Sequence, residues 1–195
     1  MNEICKLLAD SESDKHFIES SKTNRGRRVH KYGPIYGLLL HALYNKIQRP
    51  LKILEVGVAT GISLVKWSEL DFVDLVVGID PGMDPLVEFN NKIRYSKHDG
   101  YTIETVEYLK EEYNKFDLII DDGTHEWDHQ KFFFENYFDL LNEHGVLFCE
   151  DVYTKYLDNF EKIKKDLGLY IIDLTRNINT DENEVIILRF KDSVI

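Results

Sequence analysis

The chain has 195 residues, with 24 Lys and Arg against 35 Asp and Glu, for a formal net charge of −11. That length suits one domain with a substantial core: an N-terminal helical or lid segment over 1–50 and an α/β core over 51–195. An acidic surface repels nucleic-acid phosphates, which argues against a DNA or RNA binder, and no apolar run reaches membrane-spanning length.

In chain order, Asn2–Asp10 and Ile35–Ile47 read as helices ahead of Pro50. The first residues lack the basic-then-apolar layout of a secretory signal, so the expected compartment is the cytoplasm. Of the two cysteines, Cys149 falls in an apolar stretch far from Cys5, and no structural disulfide is expected. Lys22, Arg25, Arg27, Arg28, His30 and Lys31 form a local basic cluster, either a solvated loop or a lid over an anionic group.

From Pro50 onward, strand-like and helix-like stretches alternate. The candidate strands are Lys52–Val58, Leu75–Asp80, Ile93–His98, Phe116–Asp121, Val146–Glu150, Tyr170–Leu174 and Val185–Phe190. Helices are expected at Ser63–Leu70, Pro85–Asn91, Ile103–Glu112, Asp128–Asn142 and Lys155–Leu167. Repeated β-α units imply a parallel sheet with helices on both faces. The last two strands are separated by the polar loop 176–184, with no room for a crossover helix, so they should pair antiparallel.

The first strand runs through Glu55-Val56-Gly57-Val58-Ala59-Thr60-Gly61 straight into a helix. Glycines at such a turn let the backbone approach a ligand at the helix N-terminus. The spacing is GxxxG, which is neither the GxGxxG of dinucleotide enzymes nor a phosphate-binding GK[ST] loop. The second strand ends on Asp80, placed to hydrogen-bond ribose hydroxyls, and the third on Asp99. One acid per strand tip after a glycine turn points to an adenosine-containing ligand.

The densest chemistry lies between Phe116 and Tyr153. Two apolar runs stop on paired acids, Asp121-Asp122 and Glu150-Asp151, with an amphipathic helical stretch between them. Parallel strands joined this way end on one edge of the sheet, so four carboxylates and His125 should converge there. Clustered carboxylates repel, and the arrangement suggests a bound cation.

EVGVATG, GIDP, Asp99 and the terminal hairpin together resemble the class I S-adenosylmethionine-dependent methyltransferases, from Leu51 onward. The resemblance implies a Rossmann-like, seven-stranded, mostly parallel sheet whose last strand is antiparallel. It also implies cofactor-binding residues: Gly57, Thr60 and Gly61 around the methionine part, Asp80 on the ribose, Asp99 near the adenine, and Glu55 and Asp121 by the methionine amine. Within that group, Asp121-Asp122-Gly123-Thr124-His125 followed by Glu150-Asp151 is similar to the metal-dependent sugar O-methyltransferases of the macrocin and mycinamicin type, with Thr124 in place of Ser. Ser13–Lys15 and the HKYGPIY segment at His30–Tyr36 look like that group's N-terminal region. By this resemblance Asp122, Glu150 and Asp151 carry Mg2+ (or Mn2+), His125 is the general base, and the acceptor is a sugar hydroxyl, such as that of rhamnose in a glycan or glycoside. A homo-oligomer is compatible with this reading.

Other readings compete. His125-Glu126-Trp127-Asp128-His129 matches the HExxH of zinc peptidases, which need both histidines on one face of an established helix. Here His125 directly follows a strand and a Gly-Thr turn. A catechol-type methyltransferase and a non-catalytic cofactor-binding subunit are the remaining alternatives. Asp128 is expected to N-cap the helix after it. His41, His129 and His144 are expected to be structural or surface residues, with nothing in the pattern to pair with them. Phe132–Phe134, Tyr137 and Phe138 read as core-facing. Tyr153 and Tyr156 read either as a sugar-stacking wall or as ordinary packing.

Overall fold

The computed structural model describes residues 32–82, 86–175 and 185–192. The expected helix Asn2–Asp10, Ser13–Lys15, the basic cluster Lys22–Lys31 and the loop 176–184 lie outside the described residues. Elements follow in the order α1 (Gly33–Ile47), β1 (Leu51–Val56), α2 (Ile62–Ser68), β2 (Val73–Ile79), β3 (Ile93–Ser96), α3 (Ile103–Tyr113), β4 (Phe116–Asp121), α4 (Trp127–Asn136), β5 (Leu141–Cys149), α5 (Leu157–Leu167), β6 (Leu169–Asp173) and β7 (Val185–Phe190). They build one seven-stranded sheet in the order β3-β2-β1-β4-β5-β7-β6. The pairs β1–β2, β2–β3, β1–β4 and β4–β5 are parallel, and β7 runs antiparallel between β5 and β6, as expected for the terminal hairpin.

Strands buried on both faces read as continuous apolar runs, but their side chains still alternate between two cores. Ile53, Leu118, Ile120, Val146 and Phe148 point to the face covered by α1 and α2, through Tyr36, Leu40, Leu64 and Trp67. Leu54, Val56, Ile119, Leu147 and Cys149 point to the opposite face, where Leu109 of α3, Phe133 and Phe134 of α4 and Phe160 of α5 pack.

Local chemistry sets the element ends. Pro34 sits in the first turn of α1, where its missing N–H costs nothing. Thr102 caps α3 by accepting from Thr105 N at 3.3 Å. Three expectations need correction. Among the described residues, no helix occupies 86–91: Asn90 Oδ1 accepts from Lys92 N at 2.9 Å and its amide donates to Ser68 Oγ, a turn that competes with helix. The helix expected to reach Asn142 ends at Asn136, and a short 3-10 turn at Phe138–Leu140 leads into a strand that starts at Leu141. Asp128 is not the cap of α4. Glu126 holds that position with extended backbone, and Asp128 lies in the first turn, where its charge suits the helix dipole.

Candidate active site

The chain leaves β1 toward β2 and β3 on one side, then returns to β4 on the other. The C-terminal ends of β1 and β4 therefore flank the point where sheet order reverses, the usual ligand crevice of open α/β sheets. The two tips are locked together. Asp122 N donates to Val56 O at 2.8 Å, and a Cβ on Gly57 would lie 2.2 Å from Asp122 O. Only glycine tolerates that approach, and its φ of 91° also lies in the left-handed region. Three non-glycine residues at the same edge share that region: Ala59 (φ 45°), His125 (φ 59°) and Asp151 (φ 53°). Such backbone costs about 1–3 kcal/mol per residue and concentrates at functional sites.

Beside these tips lies a cavity of about 320 Å3, at the lower end of the range of roughly 300–1,000 Å3 for small-molecule sites. Gly57, Asp80, Asp99, Tyr101, Asp122 and His129 are among its walls. Asp80 Oδ2 accepts from the backbone N–H groups of Val58 and Ala59 at 3.0 and 3.2 Å, and Oδ1 from Gly82 N at 2.8 Å. The acid at the β2 tip thus shapes the glycine turn as well as lining the cavity. Asp99 accepts from Tyr101 N at 3.0 Å.

Other expected cofactor residues stand behind the cavity wall. Glu55 follows the alternation of Leu51 and Ile53, so its buried carboxylate turns toward α2. There it accepts from Ser63 Oγ at 2.7 Å and Trp67 Nε1 at 2.8 Å. Asp121 falls on the opposite face and accepts from Tyr101 Oη at 2.6 Å. Burial pushes its carboxyl up to about 6, against the opposing pull of the Tyr101 hydrogen bond. Thr60 and Gly61 belong to the turn: Thr60 O accepts from Leu86 N, and Gly61 (φ 80°) opens α2.

At the β4 and β5 tips, Asp122, His125 and Asp151 each offer a ligand atom, and these atoms all lie within 4.8 Å of one another. His125 Nε2 stands 3.8 Å from Asp151 Oδ2, beyond hydrogen-bonding range. His125 Nδ1 is buried with no hydrogen-bond partner among the described residues, as fits an atom open to a ligand. The two carboxylates suit a hard divalent cation, whereas an imidazole is a ligand for borderline metals. Glu150, expected beside Asp122 and Asp151, is not in that close group. It continues the alternation of Val146 and Phe148 toward α1, where Tyr36 Oη donates to Oε1.

The HExxH reading lacks its helix, because α4 begins at Trp127, after His125. His129 and His144, expected to be structural or surface residues, have partners that the sequence pattern did not show. His129 stacks on Tyr101 (centroids 4.1 Å apart) and bonds Thr124 Oγ1 at 2.7 Å, while His144 pairs with Asp192 at the far edge of the sheet. Reading the sequence also missed Tyr32, Tyr36 and Tyr101, each of which donates to a strand-tip acid. The i, i+4 spacing of Tyr32 and Tyr36 was the available signal.

This strand order, with β7 inserted antiparallel and a glycine turn and acid tips at the switch point, is the fold of the class I methyltransferases. No protein-family model matches the chain. Its sequence is 26% identical over 142 residues to the 8-demethyl-8-(2-methoxy-alpha-L-rhamnosyl)-tetracenomycin-C 3'-O-methyltransferase of Streptomyces olivaceus, covering 67% of this chain and 34% of that protein. Among solved structures it is similar to the MycE methyltransferase of the mycinamycin biosynthetic pathway in complex with Mg, SAH and mycinamycin VI. That match has 26% identity and a TM-score of 0.59, over 71% of this chain and 36% of the other. The chain thus spans about a third of the length of these relatives. Spermidine synthase from Thermotoga maritima shares the fold alone, at 19% identity and a TM-score of 0.55 over 84% of this chain and 61% of that one. No helix among the described residues is long and apolar enough to cross a membrane.

Proposed function

We propose that this chain is a metal-dependent O-methyltransferase that transfers the methyl of S-adenosylmethionine to a sugar hydroxyl, with a deoxyhexose such as rhamnose as the acceptor. One observation carries the reading: Asp122 belongs both to the cavity wall with Asp80 and Asp99 and to the close group with His125 and Asp151. Donor pocket and cation site therefore meet at a single residue. The similarity to two natural-product methyltransferases, one named for a rhamnosyl substrate and one solved with Mg and SAH, supports the same reading.

Asp80 and Asp99 accept hydrogen bonds from the ribose and adenine side of the donor, and Gly57 lets the backbone approach its methionine part. Glu55 and Asp121 act from behind, by holding α2 and Tyr101 in place. Asp122 and Asp151 would hold Mg2+ or Mn2+, while Glu150, the third acid implied by the sequence resemblance, is turned away and held by Tyr36. When bound, such a cation lowers the cost of ionising a hydroxyl. His125 takes the hydroxyl proton while the O–C bond forms and the C–S bond breaks, its electron pair remaining on sulfur. The protein's main contribution is alignment of oxygen, methyl and sulfur. Tyr153 and Tyr156, packed edge to face at 6.2 Å with Lys155 over both rings, offer an acceptor wall beside the β5 tip.

A second reading has a specific observation behind it: His125 sits within the ligand group and Glu150 outside it, so the histidine could itself be a ligand. An acceptor screen with labelled methyl donor, with and without EDTA, tests the main proposal. Label should enter a rhamnoside, disappear under EDTA and return with Mg2+. Full turnover in chelator refutes metal dependence, a catechol acceptor redirects the assignment, and donor binding without any turnover favours a non-catalytic subunit.

A further inference from the structure

Tyr32 stands at the N-cap of α1 and Tyr36 one turn later, so the two side chains lie on one face of the helix. Both are completely buried. Tyr32 Oη donates to Asp151 Oδ1 at 2.6 Å, and Tyr36 Oη donates to Glu150 Oε1. The two acids are consecutive residues at the β5 tip, and each is gripped by its own phenol. For Asp151 the consequence is direct. Oδ1 is tied down, and Oδ2 is the oxygen that stands 3.8 Å from His125 Nε2. A carboxylate held by one oxygen has a fixed rotamer and presents the other in one direction.

The phenols are themselves fixed. Tyr36 stacks on Phe148 with centroids 4.3 Å apart and tilts against Trp67 at 4.9 Å, while Pro34 restrains the first turn between the two tyrosines. Both tyrosines reach the strand-tip acids through hydrogen bonds from α1, as the hydrogen-bonding partners of metal ligands do.

We propose that Tyr32 is a positioning residue that orients Asp151 toward a divalent cation, and that Tyr36, by holding the adjacent Glu150, positions the same strand tip. The proposal rests on the metal-dependent reading above. Its test uses Tyr32→Phe and Tyr36→Phe, which keep the rings and their packing. Each variant is titrated with Mn2+ alone, with free Mn2+ read by electron paramagnetic resonance, and separately with S-adenosylhomocysteine by calorimetry. Mn2+ affinity should fall about 10–100-fold, the usual cost of losing an outer partner of a ligand, while S-adenosylhomocysteine affinity is unchanged. A merely structural role would lower both affinities together or neither. Wild-type Mn2+ affinity in both variants overturns the positioning role and leaves the metal-dependent reading intact. A wild-type chain that retains no Mn2+ overturns both. If Tyr36→Phe fails to fold, Tyr32→Phe decides, because its ring precedes the helix and its oxygen bonds the acid whose second oxygen faces His125.

Discussion

Replacing Gly57 by alanine tests how tightly the β1 and β4 tips are locked. The added Cβ would sit 2.2 Å from Asp122 O and 2.6 Å from both Asp122 C and Gly123 Cα. All three are backbone atoms, so no rotamer change relieves the overlap. Two costs add. A left-handed backbone costs an L-residue about 1–2 kcal/mol, and overpacking a tight site costs about 1–3 kcal/mol more. The expected loss is about 2–5 kcal/mol, or a midpoint lower by about 4–20 °C for a chain of this size. Gly168→Ala is the control. Its φ is +66°, but a Cβ there meets nothing within 4 Å, so only the backbone cost of about 1–2 kcal/mol applies. Urea unfolding of both variants measures the difference. Gly57→Ala should also weaken Mn2+ binding, since relief of the overlap displaces Asp122, whereas Gly168→Ala should not. Equal destabilisation by the two substitutions would refute the claim that close approach, and not φ alone, demands Gly57.

His125→Ala separates base from ligand: the base role predicts turnover lower by about 10²–10⁴-fold with Mn2+ affinity intact, and a fall in Mn2+ affinity makes the histidine a ligand. At the opposite edge of the sheet, buried Asp117 accepts from Arg49 through both oxygens and from Lys52 N and Asn142 Nδ2, all at 2.8 Å. Asp117→Ala should cost about 2–3 kcal/mol by urea unfolding, toward the low end for such networks because water reaches the half-exposed Arg49. Affinity for S-adenosylhomocysteine should not change, since Asp117 lies far from the cavity wall.

Much of this arrangement was legible in residue order. Apolar runs of strand length ending on Asp121-Asp122 and on Glu150-Asp151 place those acids on one edge of any parallel β-α-β unit, and β4 and β7 match their expected limits to the residue. The β2–β3 connection was misread, because the helix-like pattern at 85–91 does not register that Asn90 bonds Lys92 N and Ser68 instead of continuing a helix. Chain order could place the strand-tip acids together but could not say which way each one faces. Side-chain alternation sends Glu55 and Glu150 to the face under α1 and α2, and Asp121 to the other, while left-handed backbone at Asp151 and His125 turns those two toward Asp122. The partners that hold the acids come from Tyr32, Tyr36 and Tyr101, as many as 119 positions away. Such pairings depend on where helices dock across the sheet, a long-range packing outcome that no local pattern of residues encodes.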